Sequence, residues 1–360
     1  MRSIHIDPPS GKTTKKISFC SASEGFLVLS NSTDVKYTAD SGRNFVSLPI
    51  TNAIIDFNGF PYTVVGPFSP SGVLPISPDT IFVYGDFTTS PAILYSTNRG
   101  QSYKVTYFNE IDTAIVIDMV FPQNDNVGYA ISKDRVLKTT DRGQTWSTML
   151  LNYNHGFTFL EAADNNNITA FSTLINGSKL LKSADAGVTW SNVALPPGRL
   201  RYCNFLSANR GYISMQNFPD SSYYETVNGG LSWNKRNNSA AFGFASNKIK
   251  YLNDSTAFAV ALSLRVYKTT DTGRVWEPLP RDNALGATTG IHTDIHFFNN
   301  SQFWAASSNA FVELNTNPYA PRCQKPILHL IPRMFLPPMW LNCRTGPKEI
   351  INANGTRTMY

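Results

Sequence analysis

Short runs of alternating apolar and polar residues, separated by turn residues, recur along most of the chain. Residues 115–140 show the plan: IVIDMVF (115–121), GYAIS (128–132), then the alternating DRVLKTT (134–140). A period of two marks half-buried strands, and the intervening Gly, Asn, Asp and Ser mark turns. FAVAL (258–262) and LRVYKTT (264–270) repeat the scheme. No stretch carries a sustained helical period. The expected fold class is all-β, with four strands, A to D, in each unit.

A recurring segment sets the length of the unit. Six segments share the pattern Ser/Thr-x-Asp/Asn-x-Gly-x-x-aromatic: TADSGRNF (38–45), STNRGQSY (96–103), TTDRGQTW (139–146), SADAGVTW (183–190), TVNGGLSW (226–233) and TTDTGRVW (269–276). Their glycines, Gly42, Gly100, Gly143, Gly187, Gly230 and Gly273, are spaced by 58, 43, 44, 43 and 43 residues. A fixed period of this size belongs to repeat architectures, and four strands per unit is the blade of a β-propeller.

The chemistry of this box needs no ligand. Glycine supplies the positive φ of a tight C–D turn. Asp40, Asn98, Asp141, Asp185, Asn228 and Asp271 can accept backbone N–H bonds of the same turn. Trp146, Trp190, Trp233 and Trp276 can bury their rings between units, with Phe45 and Tyr103 standing in for Trp. Asp and Asn alternate freely, as a catalytic carboxylate would not allow, so these residues are expected to be structural.

The six boxes resemble the Asp-box, or BNR, repeats of bacterial and animal sialidases, of sortilin-type receptors and of photosystem II assembly factor-like propellers. The resemblance covers roughly residues 17–318, and the short even repeats are most similar to the assembly-factor type. It implies a propeller scaffold and favours an extracytoplasmic, secreted or envelope setting, although Met1–Pro8 shows no signal-peptide pattern. The sialidase arginine motif ahead of the first box is not matched: only Arg2, in Arg2-Ser3-Ile4, precedes that box.

Six boxes give six blades. IHTDIHFF (291–298), QFWAASS (302–308) and AFVELN (310–315) supply strands A to C of a box-less seventh. The expectation is a seven-bladed propeller over 17–318. The 1–16 segment is expected to close the ring by placing Ser3–Asp7 beside 310–315, which removes an exposed edge. The Pro-rich stretch 66–79 is expected to be a long surface loop. Residues 319–360 form a Pro-rich tail whose apolar run, 326–341, is broken by four prolines and cannot be a spanning helix.

Composition narrows the function. Charged residues make up 16% of the chain and the net charge is +6, but the basic residues are spread along the repeats rather than gathered on one element. Nucleic acid is therefore not an expected partner. The four cysteines lack disulfide-framework or metal spacing, and Cys20 and Cys203 are expected to be buried free thiols. His292 and His296, four apart on a strand, lie about 13 Å apart, too far to share a metal. No cofactor or metal is expected.

The leading function is a non-catalytic scaffold that binds an acidic peptide or protein, with a glycan partner also open. The alternative is a glycoside hydrolase, sialidase-like or other, drawing carboxylates from Asp112, Asp134, Asp220 or Asp282, none of which a motif singles out. In a four-stranded meander the boxes occupy one end of the blade and the B–C and D–A connections the other. The candidate binding face is the second end, with Arg135, His155, Arg199, Arg201, Tyr202, Phe218, Arg265 and Arg281.

Overall fold

The computed structural model describes residues 2–5, 12–51, 53–57, 60–63, 67–109, 114–122, 126–151, 156–174, 177–217, 220–236, 246–261, 266–278, 292–299, 302–307, 311–315, 349–351 and 357–359. Two units divide the chain, Met1–Tyr319 and Ala320–Tyr360. In the second, Glu349–Ile351 pairs antiparallel with Arg357–Met359. In the first, every described element is a β-strand, as the period of two requires.

The blade count corrects the sequence reading. Six sheets are four-stranded blades, not seven. Five of these carry a box. The first runs Thr14–Phe19, Gly25–Leu29, Asp34–Thr38 and Val46–Pro49. Those of the third to sixth boxes open on Val116–Val120, Phe159–Ala162, Arg199–Phe205 and Ser246–Tyr251. The sixth blade has no box: His292–Asn299, Gln302–Ser307 and Phe311–Asn315, with Arg2–His5 antiparallel to the last and Arg2 opposite Leu314.

The second box belongs instead to a six-stranded sheet. Its meander, Phe68–Pro75, Ile81–Phe87, Ser90–Ser96 and Tyr103–Phe108, gains the hairpin Ala53–Phe57 and Phe60–Thr63. Ala53–Ile55 joins parallel to Tyr103–Val105. The added residues thus lie in this hairpin, and the Pro-rich stretch read as a loop is itself an A strand. Pro70 borders a register shift and Pro75 ends the strand, the two places where a missing N–H is tolerated.

The A strands of successive sheets contact one another in a closed circuit, so they form the inner wall. Aromatic packing binds neighbours: Phe19 of the first blade stacks on Trp304 of the box-less blade at 3.6 Å. Gly25, Gly128 and Gly211 open their B strands because the rings of Phe19, Phe121 and Phe205 stand where a Cβ would sit, within 2.5–2.6 Å. Burying one such ring contributes about 2–3 kcal/mol.

Polar contacts close the seams. Where strand C meets the box, Lys138 donates to the Ala186 carbonyl of the next box at 2.9 Å. Lys182 likewise donates to the Ala208 carbonyl of the next blade, above the Phe205 ring. Glu225 holds Arg210, which also reaches Asp254 of the following repeat.

Candidate functional site

The boxes are built around a buried hydroxyl. Thr38, Ser96, Thr139, Ser183, Thr226 and Thr269 are each at most 2% exposed. Each accepts the N–H of its box glycine at 2.8–3.0 Å and donates to the Asp or Asn Oδ1 two residues on at 2.7–2.9 Å. That Oδ1 accepts the N–H of the residue four further on, at 2.9–3.0 Å in every box.

Asp and Asn interchange because the next hydroxyl can reverse. Thr145 donates to Asp141 Oδ2 and Thr189 to Asp185 Oδ2, whereas Asn98 and Asn228 donate their Nδ2 to Ser102 and Ser232. Bonds from Asn44 hold the Asp40 carboxyl at about 2, and bonds from Thr189 hold Asp185 at about 2. At Asp141 and Asp271 burial works upward, and the turn's donors overcome it to lower both.

The aromatics close the boxes unequally. Trp276 is 2% exposed, against Tyr223. Trp146, Trp190 and Trp233 are partly buried and donate to Thr106 Oγ1, the Gly187 carbonyl and the Ala194 carbonyl.

Two features went unread in the sequence. The residue before each box glycine also has positive φ, 57–73°, although only Gly229 among Ser41, Arg99, Arg142, Ala186, Gly229 and Thr272 is a glycine. Its N–H donates to the A–B turn carbonyl of its own repeat, as Ala186 does to Asn166. In six sheets the A–B pairing also slips by one residue at the same level, skipping Lys15, Ser71, Ile117, Arg201, Asn247 and Thr293. A bulge re-aims the side chain it skips.

The inner wall is polar and cross-linked. Lys16 Nζ lies 3.1 Å from Asp118 Oδ1. Burial would lower that lysine, but Asp118, Tyr84 and Asp294 outweigh it and the net shift is upward. Asp118 also accepts the Leu160 N–H, Asp294 the Ile17 N–H and Asn204 the Tyr251 N–H, each from a neighbouring A strand. Glu161 accepts from Tyr202, Asn204 and Lys250. These polar groups act as links between A strands. Among the described residues no three His, Cys, Asp or Glu are placed to hold a metal.

The expected binding residues separate. Arg135 is 7% exposed and turned onto Asp134, with Nε at 3.2 Å. Tyr202 is 1% exposed, its hydroxyl on Glu161 and its ring edge-on to Phe159 and Phe171. Arg199 and Arg201 stay together at the open start of their A strand. Arg199 Nε donates to the Thr173 carbonyl at 2.6 Å, and Arg201 is the bulge residue. Burial, then the Arg199 charge, lowers the Arg201 guanidinium below its ordinary value. His155, Phe218, Arg265 and Arg281 lie outside the described residues, as do Asp112 and Asp282. Half-exposed Leu151 and Leu174 occupy the same end of the sheets, at the close of a D strand and in a B–C connection.

Among the described residues no helix is long and apolar enough to cross a membrane. No protein-family model matches the sequence, and no curated protein matches it. Solved structures do. A structure of YCF48 bound to D1 peptide is 16% identical, with a TM-score of 0.66 over 87% of this chain and 96% of that one. YCF48 from Cyanidioschyzon merolae is 14% identical, with a TM-score of 0.64 over 88% and 98%. The GH74 xyloglucanase from Xanthomonas campestris is 14% identical, with a TM-score of 0.63 over 89% of this chain and 54% of that one. Likenesses at these identities carry the fold alone: the chain is an all-β β-propeller.

Proposed function

We propose that the chain is a non-catalytic, protein-binding propeller that docks an acidic peptide on the face formed by its B–C and D–A connections. The observation that carries this reading is the Arg199–Arg201 pair. A bulged A strand carries the two arginines two positions apart, where burial first and the Arg199 charge second lower the Arg201 guanidinium, so an anion there offsets their repulsion as well as forming its own bonds. Exposed Leu151 and Leu174 add apolar surface, the mixture typical of peptide anchors. The likeness to a propeller whose structure is that of YCF48 bound to D1 peptide supports a peptide partner.

The test is fluorescence anisotropy with a panel of acidic peptides and their neutral Asn/Gln counterparts. The Arg199→Glu/Arg201→Glu chain is expected to bind the acidic set at least about tenfold more weakly, with a flatter salt dependence. Unchanged affinity and salt slope would rule this face out. The enzyme alternative has one observation in its favour, the likeness to GH74 propellers. Release of reducing ends from xyloglucan by the wild-type chain would replace the scaffold reading with it.

A further inference from the structure

The seam between the first blade and the six-stranded sheet is filled from within. Tyr37 donates to Glu24 at 2.6 Å, and Arg99 lies over the Tyr37 ring at 4.9 Å. Arg99 is neutralised by Asp79 at 3.0 Å and Glu24 at 3.8 Å. The next seam has a tyrosine and an arginine at the matching positions, and neutral residues at those of Glu24 and Asp79. Tyr95 pairs with Phe82 as Tyr37 pairs with Phe26, which places Tyr95 at the Tyr37 position and Thr80 at the Glu24 position. Arg142 donates its N–H to the Asn126 carbonyl as Arg99 does to the Asp79 carbonyl, so Asn126 stands for Asp79.

Two carboxylates of one seam are thus neutral residues in the other, while the tyrosine and the arginine are kept. Among the described residues, the Arg142 guanidinium and the Tyr95 hydroxyl have no hydrogen-bond or ion-pair partner. Nor does a lysine cross here, as Lys138 and Lys182 do in the two seams that follow. What remains is a cleft of about 230 Å³ on the box side, with Thr80, Tyr95 and Arg142 in its wall and Phe121 beside them. Tyr95 also borders a second cleft of about 450 Å³ that includes Lys104. Among the described residues neither lining contains an acidic residue.

We propose that this cleft is a docking subsite for a Glu or Asp side chain of a protein partner. The carboxylate takes the place between Tyr95 and Arg142 that the chain's own acids take between Tyr37 and Arg99. The volume suits one acidic side chain, and Lys104, in the second cleft that Tyr95 borders, adds a positive charge for the peptide that carries it. The site lies at the opposite end of the sheets from Arg199 and Arg201, so it is a second surface.

The experiment uses the full chain and an end-blocked, fluorescein-labelled Ala-Glu-Phe-Glu-Ala-Ala peptide, with its Gln counterpart and free glutarate as controls. One charge-assisted pair corresponds to about tenfold or more, the expected preference for Glu over Gln. Arg142→Gln removes the cation. Thr80→Glu restores the internal carboxylate of the first seam. Each is expected to lose that preference without a lower melting temperature, while Arg199→Glu/Arg201→Glu keeps it. The proposal is overturned by equal binding of the two peptides, or by wild-type binding in both Arg142→Gln and Thr80→Glu. It is equally overturned if glutarate competes as well as the peptide does, or if the Arg199/Arg201 variant alone abolishes binding.

Discussion

The box hydroxyl offers a sharp test of what holds each repeat together. Thr139→Val keeps the shape and the β-branch and removes only the oxygen. Thr139 Oγ1 accepts from Gly143 N at 2.8 Å and donates to Asp141 Oδ1 at 2.7 Å, and it is 2% exposed. Water cannot replace it, so the Gly143 N–H is left buried and unsatisfied, at a cost of about 1–3 kcal/mol, and the lost bond to Asp141 adds about 0.5–1 kcal/mol. The expected total is about 1.5–4 kcal/mol. Asp141→Asn keeps the Oδ1 acceptor, and Thr145 can turn its hydroxyl as Ser102 does toward Asn98. It is expected to cost under about 0.5 kcal/mol, the range of ordinary surface changes. Urea unfolding followed by tryptophan fluorescence, with midpoints compared at constant slope, measures both. A Thr139→Val midpoint equal to wild type, or an Asp141→Asn loss as large, would refute the hydroxyl-centred account.

Further outcomes are open to measurement. Ala186 has φ 61° where the fifth box has Gly229 at 73°, so Ala186→Gly is expected to stabilise by up to about 1 kcal/mol; a lower melting temperature contradicts the strain argument. Asp40 and Asp185 sit at about 2 when folded against about 3.9 unfolded. Their contribution is therefore complete above about pH 4 and lost as pH falls through about 2, and Asp40→Asn/Asp185→Asn should flatten the acid limb of a melting-temperature profile. We propose that Arg2–His5, paired with Phe311–Leu314, closes the ring. Deleting residues 1–10 should then lower the melting temperature by several degrees, and an unchanged value would show the pairing to be dispensable.

The repeat was legible because its causes are local. Alternation gives the strands, and a hydroxyl, an Asp or Asn and a glycine at fixed offsets give the C–D turn whatever surrounds it. The chemistry of Asp141 or Asn228 could be written from the residues of the same turn. The hydroxyl at Thr139 could have been found too, because Ser or Thr begins all six boxes. Positive φ at Arg142 or Ala186 could not, since no side-chain preference announces it. The strain is held by a bond to the A–B turn more than fifteen residues upstream.

The number and kind of sheets, and the candidate surfaces, depend on who meets whom across the ring. Six boxes and one box-less set of strands predict seven blades; pairing gives six four-stranded blades and a six-stranded sheet, because Ala53–Ile55 adds to Tyr103–Val105. Arg135 and Tyr202 read as surface residues from their loop-end positions. Asp134 and Glu161 draw them inward, Glu161 from another sheet. The open seam at Tyr95 is invisible in the second repeat by itself. It exists because Thr80, Tyr95 and Arg142, from two neighbouring repeats, meet where a first seam closed by Glu24 and Asp79 shows what is missing. Sequence determines what each repeat does with its own backbone; tertiary structure decides how the charges of the inner wall are neutralised, because Lys16 and Lys250 find their carboxylates, Asp118 and Glu161, in other repeats.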